Sequence, residues 1–233
     1  GAGEIRHTCR ENLKKGADLL KLFITPGVPE PASTFVPSFL SLEEISTAVS
    51  EGARLGIPTA AHCIGGQGLK DCIDGGVDVI EHMYMAAEQD VERLAASRCV
   101  VDLTSGIFLD PSREEFLSPA NALKVRLNRS RVRENVARII KARLPFVLGT
   151  DAYHGFLYRE VGYAVELGAD PVTAIQGVTS RAARVCRLED RIGKLENGME
   201  ADIIAVEGNP LEDVSRLSQV GLVMKGGVVY RQP

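Results

Sequence analysis

The sequence has no tryptophan, and aromatic residues make up only 5% of it. That scarcity argues against a base-stacking platform of the kind single-stranded nucleic acids use. There is no basic surplus either: the net charge is −4. Nucleic acid is therefore not an expected partner. No apolar run approaches the roughly eighteen residues a membrane-spanning helix needs, so no membrane partner is expected. No Cys-x-x-Cys pair occurs. The cysteines at 9, 63, 72, 99 and 186 are scattered, and they read as reduced thiols of a cytoplasmic protein without a visible signal peptide. Repeats and low-complexity tracts are also missing. So is any His-x-His pair, an absence that gains weight below.

What remains is an ordinary globular balance, 45% hydrophobic and 25% charged over 233 residues. That length suits one large domain or one and a half small ones. Short apolar runs alternate with helical patterns. Residues 4–16 read as helix and 18–25 as extended. Ser41-Leu42-Glu43-Glu44 is a capping-box signature for a helix ending near Gly56. Strands are expected at 57–62, 77–82, 100–103 and 145–151. Helices are expected near 67–75, 87–97, 157–167 and 171–186, the last capped by Asp170 with Pro171 behind it. The stretch 108–143, rich in Arg and Asn, reads as polar and largely helical, with no legible role. Strands alternating with helices imply a parallel sheet. The end of the chain differs: 201–206, 220–225 and 228–231 read as strands, the last two joined at Gly226-Gly227. The expected division is therefore 1–190 for an α/β body and 191–233 for a small β module.

The chemistry gathers at strand positions. Lys21 interrupts the apolar run Leu19-Leu20-Lys21-Leu22-Phe23-Ile24. A short apolar run reads as a buried strand, where an unpaired cation is costly. Lys21 must be neutralised or given work, and one chemical answer is a carbamate formed with carbon dioxide. His62, His82 and Asp151 each fall at the C-terminal end of a predicted strand. In a (β/α)8 barrel such ends converge on one face. Imidazole and carboxylate suit zinc and similar divalent ions, and a carbamate behaves as a carboxylate. Each residue also has a plainer use. A strand-end histidine can be a hydrogen-bonded one, an Asp after Gly-Thr can cap a loop, and a lysine can snorkel at an edge. Four such placements in a chain with four histidines make the joint reading the stronger one. His7 sits in a polar helix and reads as solvated. Tyr84, Tyr153 and His154 lie in loops after strands and are candidate substrate contacts.

These residues resemble the C-terminal portion of the amidohydrolase superfamily, in its imidazolonepropionase-like and Xaa-Pro or Xaa-Arg dipeptidase-like branch. Gly16-Ala17-Asp18-Leu19-Leu20-Lys21 is similar to that branch's carboxylated-lysine strand. Ala60-Ala61-His62 and Ile80-Glu81-His82 resemble its later histidine strands, and Gly149-Thr150-Asp151 its last-strand aspartate. Arg191-Ile192-Gly193-Lys194-Leu195-Glu196-Asn197-Gly198-Met199-Glu200-Ala201-Asp202 resembles the return to its small β module, and Val223-Met224-Lys225-Gly226-Gly227 the closing hairpin.

The resemblance implies an α/β fold. It would be a TIM-type (β/α)8 barrel, with only the later strands in this chain and a C-terminal segment of a composite β-sandwich. It implies a hydrolase cleaving an amide-type C–N bond of a dipeptide, N-acyl amino acid or cyclic amide by metal-activated water. Lys21 as carbamate, His62 and His82 become metal ligands; Asp151 becomes the acid/base and a further ligand. An intact relative holds two zinc ions, the second on a His-x-His pair and the aspartate. The missing pair implies one remaining ion here. It also keeps alternatives open: an inactive or single-metal barrel serving as a binding or assembly module, or a phosphotriesterase- or lactonase-like hydrolase. A barrel short of strands can also close as a homo-oligomer.

Overall fold

The computed structural model describes every residue except Ala32, Ala152, Tyr153 and Pro233, with His154 described only in its backbone. The chain folds as two compact units, Gly1–Pro145 and Phe146–Pro233.

The first unit repeats strand and helix. Helix α1 (Ala2–Lys14) precedes β1 (Leu20–Phe23), α2 (Leu42–Ala53), β2 (Thr59–Cys63), α3 (Gly66–Asp74), β3 (Val79–His82), α4 (Glu88–Ala95) and β4 (Val100–Leu103). A short helix α5 (Gly106–Leu109), a 3-10 turn (Pro111–Phe116) and the long α6 (Pro119–Lys141) complete it. The four strands are parallel in the order β1-β2-β3-β4. Antiparallel strands can turn back in two residues, but parallel ones need a crossover, and each helix supplies it.

Local chemistry explains the boundaries. The Glu44 N–H donates to Ser41 Oγ while the Glu44 carboxylate accepts from the Ser41 N–H at 2.8 Å, closing the predicted capping box. Arg10 donates two hydrogen bonds to Glu51, at 2.8 and 2.9 Å, and ties α1 to α2. Gly52 lets α2 lie close: a Cβ there would meet the Ile57 carbonyl at 2.6 Å and Leu20 Cδ1 at 3.2 Å. Ile24, Ile45, Leu69, Ile80 and Val101 are fully buried in this layer. Each large apolar side chain so placed contributes about 1.5–3 kcal/mol relative to exposure.

Two expectations change. Lys21 is not buried. Strand β1 alternates, with Leu20 and Leu22 inside and Lys21 and Phe23 outside. The apolar residues on either side of Lys21 suggested a strand covered on both faces; in the structure its side chains alternate between buried and exposed. The stretch 108–143 is largely helical as expected, but it is not polar all round. Ser118 caps α6, and a stripe of Val125, Asn128, Val132, Asn135, Val136, Ile139 and Ile140 is its buried face.

The second unit opens with β5 (Phe146–Leu148), a 3-10 turn (His154–Phe156) and α7 (Leu157–Glu166). The expected single helix over 171–186 is two, α8 (Pro171–Gly177) and α9 (Ser180–Val185). Gly177, Val178 and Thr179 are poor helix formers, and the Thr179 hydroxyl turns back to the Ile175 carbonyl at 2.8 Å. The antiparallel strands β6 (Ile203–Val206), β7 (Val220–Lys225) and β8 (Val228–Arg231) follow in that order. Gly226 and Gly227 turn the hairpin with φ of 55° and 79°, values a two-residue primed turn requires. The boundary expected at 190/191 falls inside this unit, between α9 and β6.

Candidate metal site at the strand ends

Strand register assembles the site. In the pairing of β1 with β2, Phe23 stands opposite His62; in that of β2 with β3, His62 stands opposite Glu81. Lys21 lies two residues before Phe23 and so shares its face. Its ammonium is ion-paired with the Glu81 carboxylate, and its side chain is 45% exposed. The charge that looked costly in sequence thus has both a partner and water. An open groove of about 580 Å³, lined by Ile5, Cys9, Leu19, Lys21 and Phe23 among others, borders this strand.

His82 follows Glu81, and simple alternation would turn it to the opposite face. Instead φ is +80° at His82 and +52° at Met83. The strand bends there, and the His82 ring comes to 4.5 Å from the His62 ring, centroid to centroid, at 63°. Such backbone is sparsely populated for residues with a side chain and costs on the order of 1–3 kcal/mol each. The neighbouring loop makes room with glycine. Gly65 has φ of +150°, and a Cβ on it would meet the Met85 carbonyl at 2.9 Å. The Met85 N–H donates to the Ile64 carbonyl at 2.6 Å, joining the loops after β2 and β3.

Both imidazoles are buried. His62 lies flat on Phe23, centroids 4.2 Å apart, and its Nε2 is 3.1 Å from the Pro26 carbonyl. A carbonyl only accepts, so that bond uses the Nε2–H form of His62. His82 Nδ1 lies 2.6 Å from Thr104 Oγ1. Tyr84 reaches the same threonine: its hydroxyl donates to the Thr104 carbonyl at 2.9 Å and sits 2.7 Å from Oγ1. Burial first, then His62 and Lys21 nearby, push the His82 pKa down to about 3. His82 is therefore neutral at ordinary pH, as a metal ligand must be.

Sequence reasoning missed several contributors. Thr104 is a buried residue immediately after β4, at the same end of the sheet as His62 and His82, which sit in the last two residues of their strands. Asn135 of α6 donates to the Tyr84 carbonyl at 2.7 Å. Asn128 donates to the Pro29 carbonyl at 3.1 Å, and Arg131 to the Ser33 carbonyl at 2.8 Å. Helix α6 thus holds the loops after β1 and β3. The signal was present as two asparagines seven residues apart on an apolar stripe.

The structure brings Lys21, His62 and His82 together in the first unit. Asp151, in the second, is exposed just past β5 with φ of +56°. Tyr84 is buried, with its hydroxyl engaged beneath His82. Tyr153 lies outside the described residues, and so does the side chain of His154.

Among the described residues, no three His, Cys, Asp or Glu side chains converge closely enough to hold a metal. The donor chemistry nonetheless fits a zinc-type ion. Two imidazoles are in ring contact, and a lysine able to become an anionic carbamate shares the sheet face of His62.

A parallel α/β sheet with its polar groups at the strand C-termini defines the class: the later strands of a TIM-type barrel, followed along the chain by a small antiparallel sheet. The chain belongs to the amidohydrolase family, whose model matches residues 1–229. It is 32% identical to the ochratoxinase of Aspergillus niger across all of this chain and 50% of that protein. It is 23% identical to the imidazolonepropionase of Kosmotoga olearia over 95% of this chain and 51% of that protein. Among solved structures it is similar to a Xaa-Pro dipeptidase with methionine bound in the active site. There the TM-score is 0.86 and the identity 31%, over 99% of this chain and 59% of that one. The chain thus spans about half the length of the curated relatives it matches.

Proposed function

We propose that the protein is a divalent-metal hydrolase cleaving an amide-type C–N bond in a small molecule. A dipeptide, an N-acyl amino acid or a cyclic amide fits this reading. The observation that carries it is the ring contact of His62 and His82 at adjacent strand ends, on the face that also bears Lys21. Support comes from the family and from relatives whose names denote a dipeptidase and an imidazolonepropionase.

His62, His82 and a carbamate on Lys21 would hold the ion, most simply zinc. When bound, such an ion acidifies water and polarises a carbonyl. The chain's own residues do the rest. Lys21 opens to the groove, where carbon dioxide can reach its amine. The ammonium must first leave Glu81 and lose a proton to solvent, and the amine releases a second as its nitrogen bonds the carbon of carbon dioxide, so ion pair and carbamate exclude one another. Glu81 then remains as a carboxylate beside the ligands. Asp151 accepts a proton from the attacking water and delivers it to the departing amine. The partly described loop after β5, with Tyr153 and His154, is proposed to meet the substrate. Tyr84 is assigned to support His82 from below. The four buried cysteines and the exposed Cys186 fit reduced thiols in the cytoplasm. No helix among the described residues is long and apolar enough to cross a membrane.

The test is hydrolysis of a panel of Xaa-Pro, Xaa-Arg and N-acyl amino acids with added zinc. Asp151→Asn should lower kcat by about 10²–10⁴-fold with zinc content retained. Unchanged turnover in that variant would remove Asp151 from the chemistry. Native mass spectrometry should show Lys21 heavier by one carboxyl in zinc-loaded protein. A Lys21 still paired with Glu81 in that form would overturn the carbamate.

A further inference from the structure

The polar groups beneath His82 form a chain with one consistent direction. Thr104 Oγ1 lies between His82 Nδ1 at 2.6 Å and the Tyr84 hydroxyl at 2.7 Å. The Tyr84 hydroxyl is also 2.9 Å from the Thr104 carbonyl and 3.4 Å from His82 Nδ1, where its oxygen can only accept once its hydrogen is on the carbonyl. A carbonyl oxygen can only accept, so the single hydrogen of the Tyr84 hydroxyl belongs there. The Thr104 hydroxyl then donates to the Tyr84 oxygen. Thr104 Oγ1 is left as an acceptor facing Nδ1, which must carry the hydrogen. The reverse direction would take the tyrosine hydrogen from the carbonyl and put a hydrogen on Nε2. That atom makes no hydrogen bond among the described residues; the nearest carboxylate oxygen, on Glu81, is 3.8 Å away, beyond hydrogen-bond reach.

We infer that Thr104 and Tyr84 are positioning residues that fix His82 as its Nδ1–H tautomer, with the Nε2 lone pair aimed out of the core. The inference rests on the metal-hydrolase reading for its purpose, although the tautomer itself exists without metal. The rest of the surroundings agree. Tyr84 packs edge-on against Phe108 at 4.5 Å and beside His82 at 5.3 Å, so its ring is immobilised. Asn135 holds its backbone carbonyl. The positive φ of His82 and Met83 sets the ring over the threonine. Partners on the far nitrogen of a ligating histidine commonly change metal affinity by about 10–100-fold.

Two variants keep the packing and change only the chain. Tyr84→Phe retains the ring but removes the acceptor of the Thr104 hydroxyl, which can then turn its hydrogen onto Nδ1. Thr104→Val removes the nearer oxygen facing Nδ1 and leaves only the Tyr84 hydroxyl, 3.4 Å away. The readouts are long-range proton–nitrogen NMR of the histidine rings in metal-free protein, and zinc affinity by competition with a chromophoric chelator. The wild type should show His82 protonated at Nδ1 and bare at Nε2. Tyr84→Phe should move the hydrogen to Nε2, and both variants should bind zinc about 10–100-fold more weakly. Thr104→Ser should restore both signatures. A wild-type His82 protonated at Nε2 would overturn the inference, and so would a Tyr84→Phe protein with wild-type tautomer and affinity. A wild type that binds no zinc would defeat the hydrolase reading, while the NMR result would still decide the tautomer.

Discussion

Of the turns that run through the left-handed region of backbone space, those after β3 and between β7 and β8 do so differently. At the β7–β8 hairpin the residues are Gly226 and Gly227, which adopt positive φ without steric cost. At the end of β3 they are His82 and Met83, whose side chains make the same region strained. Glycine at β3 would relieve the strain and remove the imidazole. The side chain outranks local stability at β3, whereas the hairpin needs only the bend. The surroundings follow the same division. The β3 turn is buried and braced by Thr104, Tyr84, Gly65 and Asn135. The hairpin is exposed, and its two glycine N–H groups donate to the Asp202 carboxylate at 2.8 Å (Gly226) and to the Ala201 carbonyl at 3.1 Å (Gly227).

The comparison can be broken at its centre. His82→Ala keeps a strained backbone but removes its purpose. Zinc affinity should fall by more than about 100-fold, with turnover falling alongside it; retained zinc at equal affinity would show the strain serves something else. Asn135→Ala attacks the bracing. It leaves the buried Tyr84 carbonyl without this donor, and urea unfolding should show a loss of about 1–3 kcal/mol. Gly227→Ala tests the other turn. Forcing a Cβ into φ of 79° should cost about 1–2 kcal/mol in the same assay without altering zinc binding. The smallest effect concerns the foot of α6. Arg126, then Arg129, hold the Glu114 carboxyl below its ordinary pKa of 4.5. A carboxyl depressed by folding stabilises above its unfolded pKa and loses that contribution as pH falls through the folded value. The stability gap between wild type and Glu114→Gln should therefore be present at pH 7, shrink as pH falls below the ordinary 4.5, and close once pH is below the depressed folded value.

Much of this was readable in advance, for identifiable reasons. Strands announced themselves as apolar runs, and Ser41, Asp170 and the glycine pair marked their turns as capping and turn chemistry demand. His62 and His82 could be placed at strand ends because residue order fixes where a short strand stops. Lys21 was read as buried because an apolar run does not say which face is covered; β1 alternates, and Phe23 is 55% exposed. The bend that brings His82 round was invisible, since nothing in Glu81-His82-Met83 requires positive φ. Thr104 and Asn135 carried no motif. Their importance depends on what lies across the sheet or along the helix, and a linear pattern does not encode that.

The reach of α6 bears on how this scaffold could be altered. Loops at a barrel's active face are often treated as interchangeable parts. Here the loop after β1 is fastened through Asn128 and Arg131, and the loop after β3 through Asn135 and Arg138. All four fasteners sit on one helix. A graft of either loop from a relative would arrive without its anchors unless the matching α6 positions travelled with it. The unit of exchange is loop plus helix face, so a change of selectivity in one loop is not independent of the other.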